Sequence, residues 1–157
     1  MVRHLTFEMI KRIHDGAIDK GENPILERPE DVYFSIQLVK EKLKSEDIYK
    51  QALGYCVSLI VLHPFKEGNH RTSLYSAIIF LMLNKEGQPP STKKVKEIQG
   101  WRAKIIDENN HSLKREFFRI TCIENNDELR KNEIIEIMKS EYGKRIEEWL
   151  KENCRIE

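Results

Sequence analysis

The sequence of 157 residues predicts an all-α fold in a single domain. Apolar residues recur at spacings of three and four, which is the period of helices buried on one face. Only seven glycines and five prolines interrupt this pattern. Charged residues make up 34% of the chain, against a usual share of about 25%, and such a surplus on solvated faces is typical of a bundle of amphipathic helices.

Two helices are predicted in the N-terminal part. Thr6 is expected to cap the first helix, which ends before Gly21. An exposed connection over residues 21–28 leads to Pro29 at the first position of the second helix. Their inner faces are marked by Phe7, Ile10, Ile13, His14 and Ile18 in the first helix, and by Val32, Ile36, Val39 and Leu43 in the second.

The third and fourth helices are predicted to enclose a short loop. Ser45 is expected to open the third helix, which ends where Pro64 excludes His63 from helical geometry. Residues 63–69 then form the loop, and Asn69 caps the fourth helix. Both helices are rich in apolar residues, so we expect them to form the core.

The C-terminal half is predicted to add three more helices. A fifth starts at Ser91, a sixth covers roughly residues 112–123, and Asp127 caps the last. The last helix carries one amphipathic stripe, formed by Ile134, Met138, Tyr142, Ile146, Trp149 and Leu150. We therefore expect a main domain over residues 1–125, and a C-terminal amphipathic helix within 126–157 that packs on that domain or on a partner, including a second copy in a homodimer.

Charge and composition restrict the partners. The chain has 27 basic and 26 acidic residues, a net charge of +1, so no overall field steers it to nucleic acid. No apolar run approaches the roughly 18 residues that span a bilayer, and the N-terminus lacks a signal-peptide core. The three cysteines lie far apart, without a pattern for zinc or disulfides. We expect a soluble, cytoplasmic protein that binds neither nucleic acid nor membranes.

The loop concentrates groups that can carry chemistry. Residues 63–71 read His-Pro-Phe-Lys-Glu-Gly-Asn-His-Arg. His63 has a pKa range suited to accepting a proton near neutral pH. Glu67 is a hard carboxylate of the kind that Mg²⁺ binds together with substrate phosphates. Phe65 is expected to point inward and anchor the loop.

The start of the fourth helix predicts an anion site. Backbone N–H groups near Gly68, Asn69 and His70 are free at a helix N-terminus, and a glycine lets the backbone approach phosphate oxygens closely. Arg71 adds a guanidinium that can bind the same anion through two hydrogen bonds. The alternative reading is an ordinary turn between helices with a structural histidine.

The loop sequence closely resembles the signature of the Fic/Doc family: His, any residue, Phe, any residue, Asp or Glu, Gly or Ala, Asn, a variable residue, then Arg. The N-terminal Arg3-His4-Leu5-Thr6 and Ile13-His14-Asp15 are similar to the Doc (death-on-curing) toxins of this family. The resemblance implies a Fic/Doc-type helical bundle, with the active loop between two core helices and a short flap beside it.

The resemblance also implies roles for the loop residues. ATP and Mg²⁺ would be bound, and His63 would be the general base that activates a hydroxyl of a target protein. Glu67 would bind Mg²⁺, while Gly68, Asn69, His70 and Arg71 would contact the nucleotide phosphates. The flap would hold the target segment in an extended form, and our candidate residues for it are Asn23, Pro24, Ile25 and Leu26.

Two departures from the pattern bear on the transferred group. Family members that transfer AMP usually carry Gly where this chain has His70, and a second Arg where it has Leu74. We therefore expect Doc-like transfer of the γ-phosphate to a Ser or Thr hydroxyl by the toxin of a toxin–antitoxin pair, with a translation factor as target. The alternatives are AMP transfer, which the Fic-like Glu67 and Gly68 favour, and an inactive member that only binds protein.

Overall fold

The computed structural model describes residues 1–84 and 126–154, and all regular structure there is α-helical, as predicted. The helices are α1 (Phe7–Ala17), α2 (Pro29–Lys42), α3 (Ile48–Leu62), α4 (Asn69–Asn84), α5 (Asp127–Lys139) and α6 (Glu141–Asn153). The predicted helices from Ser91 and over residues 112–123 lie outside the described residues. No described helix has the length and apolar character needed to cross a membrane.

The first two helices begin where the sequence predicts. The Thr6 side chain accepts a hydrogen bond from the Met9 N–H at 3.2 Å, and Pro29 occupies the first turn of α2. The four apolar residues predicted for the inner face of α2, and Ile10 and His14 of α1, are buried. Local capping and hydrophobic spacing therefore account for both elements.

Helix α3 is the centre of the described fold. It is buried along most of its length and packs against α2, α4, α5 and α6. A helix with neighbours on every side is apolar around its whole circumference. Gly54 allows the close approach of α2, because a Cβ there would collide with Leu43 and lie 3.1 Å from Val39.

The predicted start of α3 at Ser45 is wrong. Asp47 caps this helix, since its Oδ1 accepts hydrogen bonds from the N–H groups of Tyr49 and Lys50 at 2.8 and 3.0 Å. Both residues are good N-caps. The Asp47 carboxylate is nearer to the apolar run and binds the N–H groups that have no partner within the helix. Ser45 lies in the preceding turn.

The C-terminal segment forms two helices, so the single helix that was predicted is wrong. Asn126, not Asp127, caps α5, and Ser140 separates α5 from α6 in an extended conformation. Gly143 permits the sharp corner, because a Cβ there would collide with the Met138 carbonyl. The amphipathic stripe nevertheless faces inward in both helices, with Trp149 half-buried and its other members buried.

The two C-terminal helices pack on α3 and are joined to the N-terminal helices by ion pairs. Lys131 of α5 binds Glu41 of α2 at 2.7 Å, and Lys50 of α3 binds Glu147 of α6 at 2.9 Å. The predicted boundary at residue 125 remains a prediction.

Candidate active site

His63 lies at the point where α3 stops. Its N–H still donates to the Leu59 carbonyl at 3.2 Å, but its backbone is left-handed, with φ 54° and ψ 56°. Pro64 disfavours the right-handed helical conformation at the preceding residue. A left-handed non-glycine residue is uncommon and costs about 1–3 kcal/mol, so the surrounding contacts must hold His63 in this conformation.

Phe65, the residue predicted to anchor the loop, is packed into the interior. Its ring is buried and stacks on His14, with the ring centroids 3.8 Å apart. Asn69 forms two hydrogen bonds with the backbone of the same residue. Its Nδ2 donates to the Phe65 carbonyl at 2.7 Å, and its Oδ1 accepts from the Phe65 N–H at 2.9 Å. The Asn69 side chain therefore closes the loop rather than capping α4.

His14 is a loop-supporting residue whose role the sequence did not reveal. The side chain is fully buried, and its Nε2 donates to the Glu67 carbonyl at 2.8 Å. Its Nδ1 lies 3.2 Å from the Asp15 carboxylate. One histidine of α1 thus supports the loop through both a ring contact and a hydrogen bond.

The segment predicted as a flap lies directly beside the loop. The Lys66 N–H donates to the Ile25 carbonyl at 2.9 Å, and the Glu27 N–H donates to the Pro64 carbonyl at 2.9 Å. Leu26 and Phe65 are thereby opposed as an antiparallel bridge. Because backbone groups alternate in direction along a strand, the N–H and C=O of Leu26 point away from the loop. The role of this edge in holding a target stays a prediction.

Glu67 and Gly68 form the turn into α4. The Glu67 side chain is exposed, and its carboxylate accepts a hydrogen bond from the Asn23 N–H of the flap. Gly68 has φ 82°, and a Cβ there would lie 2.8 Å from Ile18. Since α4 begins at the next residue, the backbone N–H groups of its first turn lie at a helix N-terminus.

Arg71 follows in the first turn of α4 and binds two carboxylates. Its guanidinium donates to Glu22 at 2.6 Å, to Asp19 at 3.1 Å and to the Ala17 carbonyl at 3.1 Å. The hydrogen bond from Arg71 lowers the pKa of Glu22 to about 2, and Glu22 in turn raises the pKa of Arg71. The residue predicted to contact phosphate already binds anionic groups in the described structure.

An open cleft of about 660 Å³ adjoins Arg71 between α1 and α4. Its lining includes Arg12 and Gly16 from α1 and Tyr75 and Ile79 from α4. Ligand sites in proteins have volumes of about 300–1,000 Å³. The space beside Arg71 is therefore comparable to that of a small-molecule site.

The electrostatic surroundings favour a neutral His63 ring. Partial desolvation lowers its pKa, the nearby Arg28 cation lowers it further, and Glu27 acts in the opposite direction. His70 lies on the other side, with its ring edge-on and its centroid 6.5 Å from that of His63. A neutral imidazole near pH 7 is the form that can accept a proton.

Glu67 is the one side chain predicted to bind a metal ion. Within residues 1–84 and 126–154, no group of three or more His, Cys, Asp or Glu residues is arranged to hold a metal. One carboxylate next to a helix N-terminus is compatible with Mg²⁺ that is bound mainly through substrate phosphates.

The fold and the loop together define a class of protein: an all-helical domain with a histidine and a helix N-terminus presented between two core helices. The sequence model of the Fic/DOC family matches residues 2–81, which contain α1 to α3, the flap, the loop and α4 as far as Leu81, and the chain belongs to this family. No curated protein and no solved structure matches the chain. Family membership supports a Fic-type protein-modifying transferase in general terms.

Proposed function

We propose that this protein transfers the γ-phosphate of ATP to a Ser or Thr hydroxyl of a target protein. The observation that carries the proposal is the juxtaposition of His63, at the end of α3, with the N-terminus of α4 and with the flap. A histidine, a helix N-terminus and a strand edge that adjoin one loop support proton transfer, phosphate binding and target binding at the same site.

The transfer uses the loop residues in defined roles. His63 accepts the proton of the target hydroxyl, whose oxygen attacks the γ-phosphorus. The bond between the γ-phosphorus and the β,γ-bridging oxygen breaks, so ADP leaves and a phosphoester forms on the target. The backbone N–H groups at the start of α4 stabilise the negative charge on the transferred phosphoryl group.

The residues around the start of α4 have side chains suited to binding Mg²⁺ and the phosphates of ATP. Glu67 would hold Mg²⁺ through its exposed carboxylate, and the metal ion would neutralise phosphate charge. Gly68 keeps the turn free of a side chain, and Arg71 would contact phosphate. Glu22 and Asp19 now bind the Arg71 guanidinium, so phosphate has to share or replace these contacts.

Two positions favour phosphoryl over AMP transfer. The position at which AMP-transferring relatives carry a second arginine is Leu74, whose side chain is buried in the core and cannot reach a nucleotide. His70 places an imidazole beside His63 where those relatives have glycine. AMP transfer is the second candidate, because Glu67 and Gly68 are the choices of AMP-transferring members.

The biological role proposed is that of a cytoplasmic toxin controlled by a separate antitoxin, as the likeness to the Doc toxins implies. A translation factor is the proposed target. The target segment would pair with Leu26, whose backbone groups point away from the loop, which is β-strand addition to an exposed edge. Among the described residues, Ile25 of the flap is also one of the few exposed large hydrophobic side chains.

The test is the intact mass of candidate target proteins after incubation with Mg²⁺ and ATP. A gain of about 80 Da identifies phosphoryl transfer and a gain of about 329 Da identifies AMP transfer. We expect the first, lost in His63→Ala and retained in the matched loop variant Lys66→Ala, whose side chain is exposed. Expression of both variants in cells tests the toxin role, since only Lys66→Ala should arrest growth as the wild type does.

The outcomes separate the candidates. A gain of about 329 Da replaces phosphoryl transfer by AMP transfer. A gain that persists in His63→Ala contradicts the role of His63 as the base. If no protein gains mass and ATP does not bind, the chain is a family member that acts only by binding protein.

A further inference from the structure

Arg28 connects the flap to the end of α3. Its Nη2 donates to the Leu62 carbonyl at 2.5 Å and lies 3.3 Å from the His63 carbonyl, and its backbone N–H donates to the Pro64 carbonyl at 3.0 Å. The last carbonyls of a helix have no partner within the helix and attract cations. Arg28 therefore binds three consecutive residues at the point where α3 stops.

His63 is the residue that most needs this support. Its left-handed backbone is unfavourable for a residue with a side chain, and it persists only when neighbouring contacts impose it. The backbone conformation sets the direction of the Cα–Cβ bond. Contacts that hold the carbonyls on both sides of this residue therefore restrict where the His63 ring points.

A buried carboxylate holds Arg28 in turn. Asp31 lies in the first turn of α2, and its Oδ2 is 3.2 Å from the Arg28 Nε. Its Oδ1 accepts a hydrogen bond at 3.0 Å from Arg130 of α5, whose guanidinium lies over the Phe34 ring at 4.5 Å. Both oxygens of one buried carboxylate thus contact guanidinium groups: Oδ1 through a charge-assisted hydrogen bond from Arg130, and Oδ2 through an ion pair with Arg28.

We propose that Arg28 is a positioning residue for His63, and that Asp31 and Arg130 hold its guanidinium in place. Helix α5 thereby supports the active loop through Asp31 and Arg28. This inference rests on the proposed role of His63 as the proton acceptor. It assigns α5 a part in the transfer reaction, although the helix touches none of the reacting groups.

The charges around His63 give Arg28 a second effect. Arg28 and Glu27, between the flap and α2, act on the charge of the ring, and His70 faces it from α4. The Arg28 cation disfavours a second positive charge on His63, whereas the Glu27 carboxylate favours it. Loss of the Arg28 charge should therefore increase the protonated fraction of His63 near neutral pH.

The test compares two variants of neighbouring residues on α5. Arg130→Gln removes the contact to Asp31. Lys131→Gln is the matched control, since Lys131 also joins α5 to α2, through Glu41, and also lies near the Phe34 ring, 5.8 Å from its centroid. We measure urea unfolding, kcat and KM for ATP, and the titration of the His63 ring by NMR. Both variants should lose some stability, but only Arg130→Gln should lower kcat, by about tenfold, with KM for ATP nearly unchanged.

Two variants of Arg28 separate charge from geometry. Arg28→Gln should lower kcat and shift the His63 titration to higher pH. Arg28→Lys keeps the charge without the planar fork, so its His63 titration should match the wild type while kcat still falls. Because lysine conserves charge and most of the bulk, this variant also tests the proposal if Arg28→Gln does not fold.

Specific results overturn the proposal. Wild-type kcat in Arg28→Lys removes Arg28 as a positioning residue, and an unchanged His63 titration in folded Arg28→Gln removes its effect on the charge of the ring. An equal change of kcat in Arg130→Gln and Lys131→Gln shows that α5 contributes only stability. The titration needs no substrate, so it tests the effect of Arg28 on His63 even if the wild type transfers no group and the proposed function fails.

Discussion

Replacement of His14 tests how the buried face of the loop is held. His14→Phe keeps a ring of similar size against Phe65 but removes the donor to the Glu67 carbonyl. His14→Ala removes both the ring and the donor. Asp15→Ala is the matched control, because the Asp15 carboxylate is half-exposed and lies near the other ring nitrogen of His14.

The expected losses follow from these contacts. The hydrogen bond to the Glu67 carbonyl is partly buried, so its loss in His14→Phe should cost about 0.5–1.5 kcal/mol. Removing the whole buried aromatic ring costs about 3–5 kcal/mol, so His14→Ala should be the worst of the three. Asp15→Ala should cost less than about 1 kcal/mol, because surface ion pairs contribute little.

Urea unfolding measures these losses through the free energy of unfolding, with thermal unfolding as a second readout. For a chain of this length, 3–5 kcal/mol corresponds to a fall in Tm of roughly 6–20 °C. The order Asp15→Ala, His14→Phe, His14→Ala is the expected order of increasing destabilisation. If His14→Phe is as stable as the wild type, the hydrogen bond from His14 to the Glu67 carbonyl does not stabilise the loop.

Three further predictions concern the site and the C-terminal corner. The pKa of Glu22 lies at about 2 instead of its ordinary 4.5, so its pairing with Arg71 should persist at pH 4 and contribute stability that is lost progressively as the pH falls from about 4.5 towards 2. Carboxyl NMR titration measures this, and a pKa near 4.5 would contradict it. Gly68→Ala forces a side chain into a backbone with φ 82° and should cost about 1 kcal/mol or more in urea unfolding, with weaker ATP binding. Gly143→Ala should destabilise the α5–α6 corner by about 1–3 kcal/mol, because its Cβ collides with a backbone carbonyl, whereas unchanged stability would show that the corner can relax.

The described fold could be predicted from the sequence wherever the signal is local. The cap at Thr6, the proline at the start of α2 and the end of α3 before Pro64 each depend on residues close along the chain. The prediction of one continuous last helix was wrong because it, too, used only local signals. Its hydrophobic stripe passes through the corner at Ser140 without a change of phase, so periodicity alone did not reveal the break.

The same distinction between local and long-range signals applies to the candidate site. The motif identified the loop, its anchor Phe65 and the position of His63, because its residues are neighbours in the sequence. The contacts of Arg71 with Asp19 and Glu22, which are about 50 residues away, could not be predicted, since nothing in the local pattern says which carboxylates a guanidinium will meet. The expected capping by Asn69 was replaced by its two hydrogen bonds to Phe65.

The helical class, the family and the loop with the family motif follow from the amino-acid sequence alone, because they depend on spacing and on a short contiguous motif. The surroundings of the loop follow from tertiary packing. Packing brings His14 under Phe65 and places Arg28 at the end of α3, and Asp31 then joins Arg28 to Arg130 of α5. Apart from the Arg28–Asp31 pair, these contacts join residues far apart in the chain, and their geometry is set by the burial of helix faces rather than by any local preference.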